Sequence, residues 1–200
     1  MQPEGIPRRD FLWQSIAGIA GAWLATAMPQ FLQAREYVRQ ALEKGELPAL
    51  VFFTPAQAAD IEAACEQIIP RDENGPGARD AHVVYFIDRA LTTLDKDQQE
   101  PFRKGLELLG AKAKALAPGA ASFAALTPAQ QIEVLKQIEK EPFFGLLRVS
   151  TMLGFFSDPQ NGGNFGKAGW QLIGFDDSGV FTPPFGYYDE EAAKAAGPKG

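Results

Sequence analysis

The chain contains one histidine and one cysteine, His82 and Cys65, so few of the side chains that usually carry catalysis are available. A cysteine/histidine zinc site, a thiolate-ligated iron–sulfur cluster and a C-x-x-C-H haem attachment each need several such residues. His82 precedes an amphipathic segment and stands near Asp80, which favours a partly exposed histidine in a helix-capping turn over a general base. Cys65 falls on an apolar helix face, where a free thiol behaves as a small hydrophobe.

Patterns for nucleotide binding and hydrolysis are also missing. The segment 162–167, GGNFGK, resembles a phosphate-binding loop, but its glycine spacing is wrong and Ala168 stands where serine or threonine is needed. Neither a G-x-G-x-x-G dinucleotide pattern nor a G-x-S-x-G nucleophile elbow occurs. Pairs of carboxylates are present, but surface helices and turns of an acidic protein look the same. These pairs are Asp60/Glu62, Asp95/Asp97, Glu139/Glu141 and Asp176/Asp177. We expect no catalytic residue, no bound metal and no bound cofactor in this chain.

Composition sets the class of protein. The 200 residues are 46% hydrophobic and 22% charged, which is typical of one globular domain that needs no disulfide or metal to fold. Nineteen basic residues against 25 acidic ones give a net charge of −6. Because a nucleic-acid binder needs a cationic surface for the phosphates, nucleic acid is excluded as a partner.

The first residues have the composition of an export signal. A basic pair is followed after one residue by Phe-Leu, then by an uncharged apolar run over 13–28 that contains a small-x-small cleavage pattern. This arrangement resembles the twin-arginine signal, which carries folded proteins across a membrane. We therefore expect residues 1–27 to be a twin-arginine signal and the mature protein to be periplasmic. The residues that carry this prediction are Arg8, Arg9, Phe11, Leu12, Ala25 and Ala27. Retention as an uncleaved membrane anchor is the alternative, although the run is barely long enough to span a bilayer.

Helical periodicity dominates the chain after residue 50. Two capping signatures, Thr54-Pro55-Ala56-Gln57 and Thr127-Pro128-Ala129-Gln130, each place threonine at N-cap, proline at N1 and glutamine at N3. The first should open a helix that Pro70 stops. Further helices are expected after Asp80 as N-cap, over 102–116 and from Pro142. The last of these is apolar nearly all round, which indicates a helix at the centre of a bundle.

The sequence thus predicts a mainly α helical bundle. Residues 28–50 are a linker or an extra helix, 51–188 the helical domain, and 189–200 a flexible tail. From Gly154 to Gly179 glycine and aromatic residues are mixed, which predicts an ordered coil rather than regular helix. Such a coil could dock a partner, with glycine allowing close backbone approach and aromatic rings as anchors, or it could cap the protein's own bundle. The predicted docking residues are Phe155, Phe156, Asp158, Pro159, Gly162, Gly163, Asn164 and Trp170.

The same block carries a family resemblance. The segment 154–164, GFFSDPQNGGN, with Gly169-Trp170 and Ile173-Gly174-Phe175 behind it, resembles the gluconate 2-dehydrogenase subunit 3 family. Two upstream segments also fit: 64–71 (ACEQIIPR) resembles the end of that family's first helix, and 86–89 (FIDR) resembles its second helix. Gln160 stands where the family usually has tyrosine or another residue, and the insert between Gln30 and Val51 is less typical.

The resemblance implies a role without chemistry of its own. Members are small subunits of exported sugar or sugar-acid dehydrogenases, in which the large subunit carries FAD and a multihaem cytochrome c often passes electrons on. The small subunit would aid maturation, export through the twin-arginine translocase and stability of the flavoprotein, and the complex would associate with the inner membrane. Two other classes stay open on the residues alone: an orphan periplasmic binding or scaffold protein, and a stand-alone exported enzyme that uses carboxylates.

Overall fold

The computed structural model describes residues 28–41, 43–175, 177, 186, 191 and 194. The predicted export signal and most of the predicted tail lie outside these residues. Within them the protein is helical and contains no β-strand, which confirms the mainly α prediction. The helices are α1 (residues 28–41), α2 (Pro55–Ile68), α3 (Val83–Thr92), α4 (Gln99–Leu116), α5 (Pro128–Gln137), α6 (Pro142–Phe156) and α7 (Ala168–Leu172). No helix of the described part is long and apolar enough to cross a membrane.

Both predicted capping boxes are present. At the start of α2 the Thr54 hydroxyl accepts the Gln57 backbone N–H at 3.3 Å, and the Gln57 side-chain oxygen accepts the Thr54 N–H at 3.0 Å. Thr127 and Gln130 repeat this arrangement at the start of α5. These pairs satisfy backbone donors that the first helical turn leaves without partners.

The predicted cap of α3 is wrong. The helix begins at Val83 with His82 at N-cap in the left-handed conformation (φ 50°), and no side chain caps it. The Asp80 carboxylate instead accepts the Gly77 backbone N–H at 2.8 Å and pairs with both Nε and Nη2 of Arg71. A bidentate contact with a guanidinium is a strong interaction for a carboxylate. Asp80 therefore stabilises the loop between α2 and α3 and does not cap α3.

The core lies between α2, α3, α4, α5 and α6. Phe102, Phe123 and Phe155 are its largest fully buried side chains. Helix α6 contacts α2, α3, α4 and α7, as expected of a central helix, and buries Phe143 and Leu147. The expectation that it is enclosed nearly all round is wrong, because Val149, Met152 and Leu153 are exposed.

A buried carboxylate holds the segment that leads into α2. Asp88 of α3 is 1% exposed and accepts the backbone N–H groups of Val51, Phe52 and Phe53 at 2.7, 2.9 and 2.8 Å. Three charge-assisted bonds compensate the cost of burying this carboxylate. The first core residue of the domain, Phe53, is thereby fixed immediately before the capping box of α2.

Candidate functional site: the end of helix α6

The glycine-aromatic block folds back over the C-terminal end of α6. The last carbonyl groups of a helix have no partners within the helix and need others. Here the Trp170 indole Nε1–H donates to the Phe156 carbonyl at 2.8 Å, and the Asn164 side-chain amide donates to the Ser157 carbonyl at 2.8 Å. Asn164 also accepts the Gly169 backbone N–H at 2.7 Å. Because Asn164 is completely buried and left-handed (φ 48°), it fixes the block from within.

Glycine is required where the block touches α6. A Cβ atom on Gly163 would lie 2.2 Å from the Gly154 carbonyl oxygen, and one on Gly169 would lie 2.0 Å from the Phe155 carbonyl oxygen. Gly162 has a φ of 101° and lies against the backbone of Tyr85 in α3. The close backbone approach that the sequence predicts for these glycines, together with the positive φ of Gly162, therefore serves contacts inside the protein itself.

Asp158 ties the same turn to α1. Its Oδ1 accepts the Gln160 backbone N–H at 2.9 Å, and its Oδ2 lies 3.0 Å from Nη2 of Arg35. The Arg35 guanidinium also donates to the Gln160 side-chain oxygen at 3.2 Å. This contact joins α1, which belongs to the segment whose role the sequence leaves open, to the most family-like part of the chain.

The predicted docking residues separate into two groups. Phe155, Gly162, Gly163 and Asn164 are buried within the fold, so they shape the block but offer no side-chain surface. Phe156 is exposed, and Trp170, Asp158 and Pro159 are half-buried. The prediction of an irregular coil over 154–179 is wrong at its start, where α6 continues through Gly154 to Phe156, and over Ala168–Leu172, which forms α7. Docking by the outer residues stays a prediction.

An exposed apolar surface adjoins this turn, and sequence reasoning placed three of its residues, Val149, Met152 and Leu153, at the centre of the bundle. Val149, Met152, Leu153 and Phe156 recur at helical spacing on one side of α6, and Leu153 is 54% exposed. Trp170 continues the surface through its bond to the Phe156 carbonyl, and its ring centroid lies 5.1 Å from that of Phe175. We call these six residues the α6–α7 apolar face. The sequence feature that could have indicated this surface is that α6 is apolar nearly all round. A helix with only one side buried in the fold does not need apolar residues on its other side.

Cys65 and His82, the two side chains whose types could carry out catalysis, both pack against other residues of the fold. Cys65 is fully buried, and burial raises the pKa of its thiol to about 12, so it is not a nucleophilic thiolate. His82 is half-buried with its ring edge-on to Phe165, 4.8 Å between centroids, and burial lowers its pKa. Among the described residues no group of three or more histidine, cysteine and carboxylate side chains could hold a metal ion.

The described residues thus form a helical protein in which the glycine-aromatic block covers the C-terminal end of α6. The α6–α7 apolar face lies exposed beside it. The chain belongs to the gluconate 2-dehydrogenase subunit 3 family, whose model matches residues 55–177. This confirms the resemblance noted in the sequence, and it implies a place in a multisubunit dehydrogenase complex. No curated protein and no solved structure matches the chain.

Proposed function

We propose that this chain is the non-catalytic small subunit of an exported FAD-dependent sugar or sugar-acid dehydrogenase, and that it binds the flavoprotein subunit through the α6–α7 apolar face. Its role in that complex is to aid maturation, export and stability of the flavoprotein. Electron transfer to a multihaem cytochrome c then belongs to other subunits. FAD belongs to the flavoprotein in this proposal, and the present chain supplies a binding surface.

Family membership supports the subunit role, and the exposed apolar face is the observation that supports the binding site. Soluble monomers rarely leave contiguous apolar side chains in water, so such a surface usually marks an interaction site. Leu153 and Phe156 are 54% and 39% exposed, whereas Leu147 and Phe155 on the other side of the same helix are fully buried. Aromatic residues and methionine are enriched at the centres of protein interfaces, and this face contains Met152, Phe156, Trp170 and Phe175.

The export part of the proposal is supported by the leader and by the need for co-transport. A twin-arginine signal is used for proteins that fold before they cross the membrane. A flavoprotein that must acquire FAD before export would meet that condition, and a small subunit with the signal would carry it across. The arginine pair, Arg8 and Arg9, is the feature that supports this step.

Affinity purification from the native host tests the proposal. The protein is tagged at its C-terminus, captured from the solubilised membrane and periplasmic fractions, and analysed by mass spectrometry and absorption spectroscopy. We expect one flavoprotein subunit per chain, a flavin spectrum and sugar or sugar-acid dehydrogenase activity. A chain that is purified without a flavoprotein under mild conditions would contradict the proposal. Turnover by the isolated chain would instead indicate a stand-alone enzyme.

A further inference from the structure

The chain contains two asparagine–glycine pairs, Asn74-Gly75 and Asn161-Gly162, in different surroundings. Asparagine is a chemically labile residue. A following glycine favours loss of its side-chain amide, because glycine has no Cβ atom to hinder attack by the glycine nitrogen. The first pair belongs to the loop between α2 and α3, and the second to the turn that follows α6. The same chemistry can therefore be compared at two places in one fold.

Asn74 lies in an exposed turn over residues 72–75. Asp72 and Gly75 close the turn with two backbone hydrogen bonds of 3.2 and 3.3 Å, which are longer than the usual value of about 2.9–3.0 Å. The Asn74 side-chain amide donates to Asp72 Oδ2 at 3.2 Å, and both side chains are exposed to water. Such solvent-exposed hydrogen bonds open at a small cost in free energy. The Asn74 side chain and the Gly75 nitrogen are thus free to reach other arrangements.

Asn161-Gly162 is held on both sides. Asn161 Oδ1 is buried, and the Gly162 backbone N–H donates to the Pro159 carbonyl at 3.0 Å. Gly162 has a φ of 101°, and a Cβ atom there would lie 3.2 Å from the Tyr85 carbonyl oxygen of α3. Reaction between the Asn161 side chain and the Gly162 nitrogen therefore requires this turn to open first.

We propose that Asn74 is a deamidation site of the folded protein. The Gly75 backbone nitrogen attacks Cγ of Asn74 and forms a new nitrogen–carbon bond. The Cγ–Nδ2 bond breaks, and Nδ2 leaves as ammonia with the proton that the Gly75 nitrogen gives up. Water then opens the resulting succinimide ring at one of its two carbonyl carbons, which leaves either aspartate or isoaspartate. This inference does not depend on the proposed function, because it rests on the two turns alone.

The product disturbs the turn and its contact with α7. Hydrogen bonds from the Asn74 backbone and side chain lower the pKa of Asp72, so this carboxylate is ionised and would face a second negative charge after the reaction. Isoaspartate also adds one atom to the backbone between the two hydrogen bonds that close the turn. Gly75 packs against Leu172 of α7, whose Cδ1 would lie 2.8 Å from a Cβ atom on Gly75. Deamidation therefore loosens the support that this loop gives to α7.

Incubation of the folded chain at mildly alkaline pH, followed by tryptic peptide mapping, tests the proposal. Trypsin separates the two sites, because Asn74 falls in the peptide 72–79 and Asn161 in the peptide 149–167. We expect Asn74 to convert more than about tenfold faster than Asn161, since a buried turn reacts only from its opened state. In concentrated urea, where both turns are unfolded, the two rates should become similar.

Three outcomes of this experiment would overturn the proposal. Equal rates at the two sites in the folded chain would show that the surroundings of Asn161 give no protection. Conversion of Asn74 in urea but not in the folded chain would show that the exposed turn protects it. A preference for Asn74 that is equally large in urea would assign the difference to the flanking residues and not to the fold.

Gly75→Ala tests the attacking group. A Cβ atom there would meet only the flexible Leu172 side chain, so the variant should fold and should convert Asn74 several-fold more slowly. Gly145→Ala is the matched control, because a Cβ atom at that position meets nothing within 4 Å, and it should leave the rate unchanged. Undiminished conversion in folded Gly75→Ala would overturn attack by the Gly75 nitrogen.

Asn74→Asp reproduces one product and tests the effect on α7. Hydrogen exchange of the backbone amides in residues 72–75 and 168–172 should be faster in this variant than in the original chain. Asn74→Ala, which loses the amide donor without adding a charge, should show a smaller increase. Equal exchange in the original chain and in Asn74→Asp would overturn the proposed loosening of α7.

Discussion

Three glycines surround the end of α6, and each faces another part of the backbone or core at a distance that admits no side chain. Gly163 faces the Gly154 carbonyl, Gly169 faces the Phe155 carbonyl, and Gly154 itself faces Val83 and Phe86 of α3. A side chain at Gly163 or Gly169 would force backbone to move, and one at Gly154 would force the side chains of Val83 and Phe86 to move. The family-like block is thus constrained by the protein's own packing at the level of single atoms.

Gly163→Ala is therefore expected to lower the free energy of unfolding by about 2 kcal/mol or more, in the range of overpacking changes. Gly145→Ala in α6 is the matched control, because a Cβ atom there meets nothing within 4 Å. The control should be neutral or raise the free energy of unfolding by roughly 0.5–1 kcal/mol, the helical preference for alanine. Denaturant melts of both variants measure the difference. Equal stability of the two variants would contradict the prediction that Gly163 leaves no room for a side chain.

The single histidine makes a pH-dependence prediction possible. Burial lowers the pKa of His82, with the carboxylates of Glu62 and Asp80 acting in the opposite direction. Between that lowered pKa and the ordinary value near 6.5, the folded chain binds fewer protons than the unfolded chain. The free energy of unfolding should consequently fall as the pH is lowered through this interval.

His82→Asn separates this effect from the titration of carboxylates at lower pH. Asparagine tolerates the left-handed backbone at this position and carries no titrating group. The variant should lose most of the slope of unfolding free energy against pH in the interval just below pH 6.5. A slope as steep as that of the original chain would assign it to other groups.

At the scale of elements, the two sides of α6 should behave differently. Leu147 is fully buried and Leu153 is 54% exposed on the same helix, so the two leucines form a matched pair. Leu147→Ala should lower the free energy of unfolding by roughly 2–5 kcal/mol through lost burial and cavity formation. Leu153→Ala should change it by less than about 0.5 kcal/mol. A large loss at Leu153 in the isolated chain would mean that this side of α6 is needed for folding rather than for a partner.

The sequence predicted helix ends correctly where the residues that interact are close together in the chain. The threonine and glutamine of each capping box lie three residues apart, and Pro70 follows the end of α2 as expected. The prediction that Asp80 caps α3 was wrong because Arg71, nine residues earlier in the chain, binds the carboxylate that would have capped the helix. The outward side of α6 was missed because composition cannot distinguish a helix surrounded by protein from one with an unpartnered apolar side.

The candidate site was predicted only in part for a similar reason. The sequence identified glycine and aromatic residues as the family-like block, and it correctly associated glycine with close backbone approach. The sequence did not show whether these glycines approach the backbone of a partner or of the protein itself. Gly163 contacts Gly154 only because the chain turns back at Asn164. The inward position of Phe155 and the outward position of Phe156 depend on that turn.

For the whole molecule, export should depend on the identity of the two arginines and not only on their charge. The twin-arginine receptor recognises the pair as an address. Changing both Arg8 and Arg9 to lysine keeps the net charge at −6 and should leave the protein in the cytoplasm, as measured by fractionation. A matched Lys194→Arg change near the other end of the chain should export normally. Unchanged periplasmic yield of the double variant would contradict the twin-arginine prediction.

The central claim is that the chain binds a flavoprotein subunit through the α6–α7 apolar face. The most direct measurement is the affinity of the purified chain for the purified flavoprotein, by calorimetric titration. The proposal predicts saturable one-to-one binding that Met152→Ser with Leu153→Ser weakens more than tenfold, since central interface residues are each worth ~2 kcal/mol or more. Ile132→Ser, an exposed apolar change on α5, should leave the affinity unchanged. No binding by the original chain, or equal affinity of a folded double variant, would contradict the account.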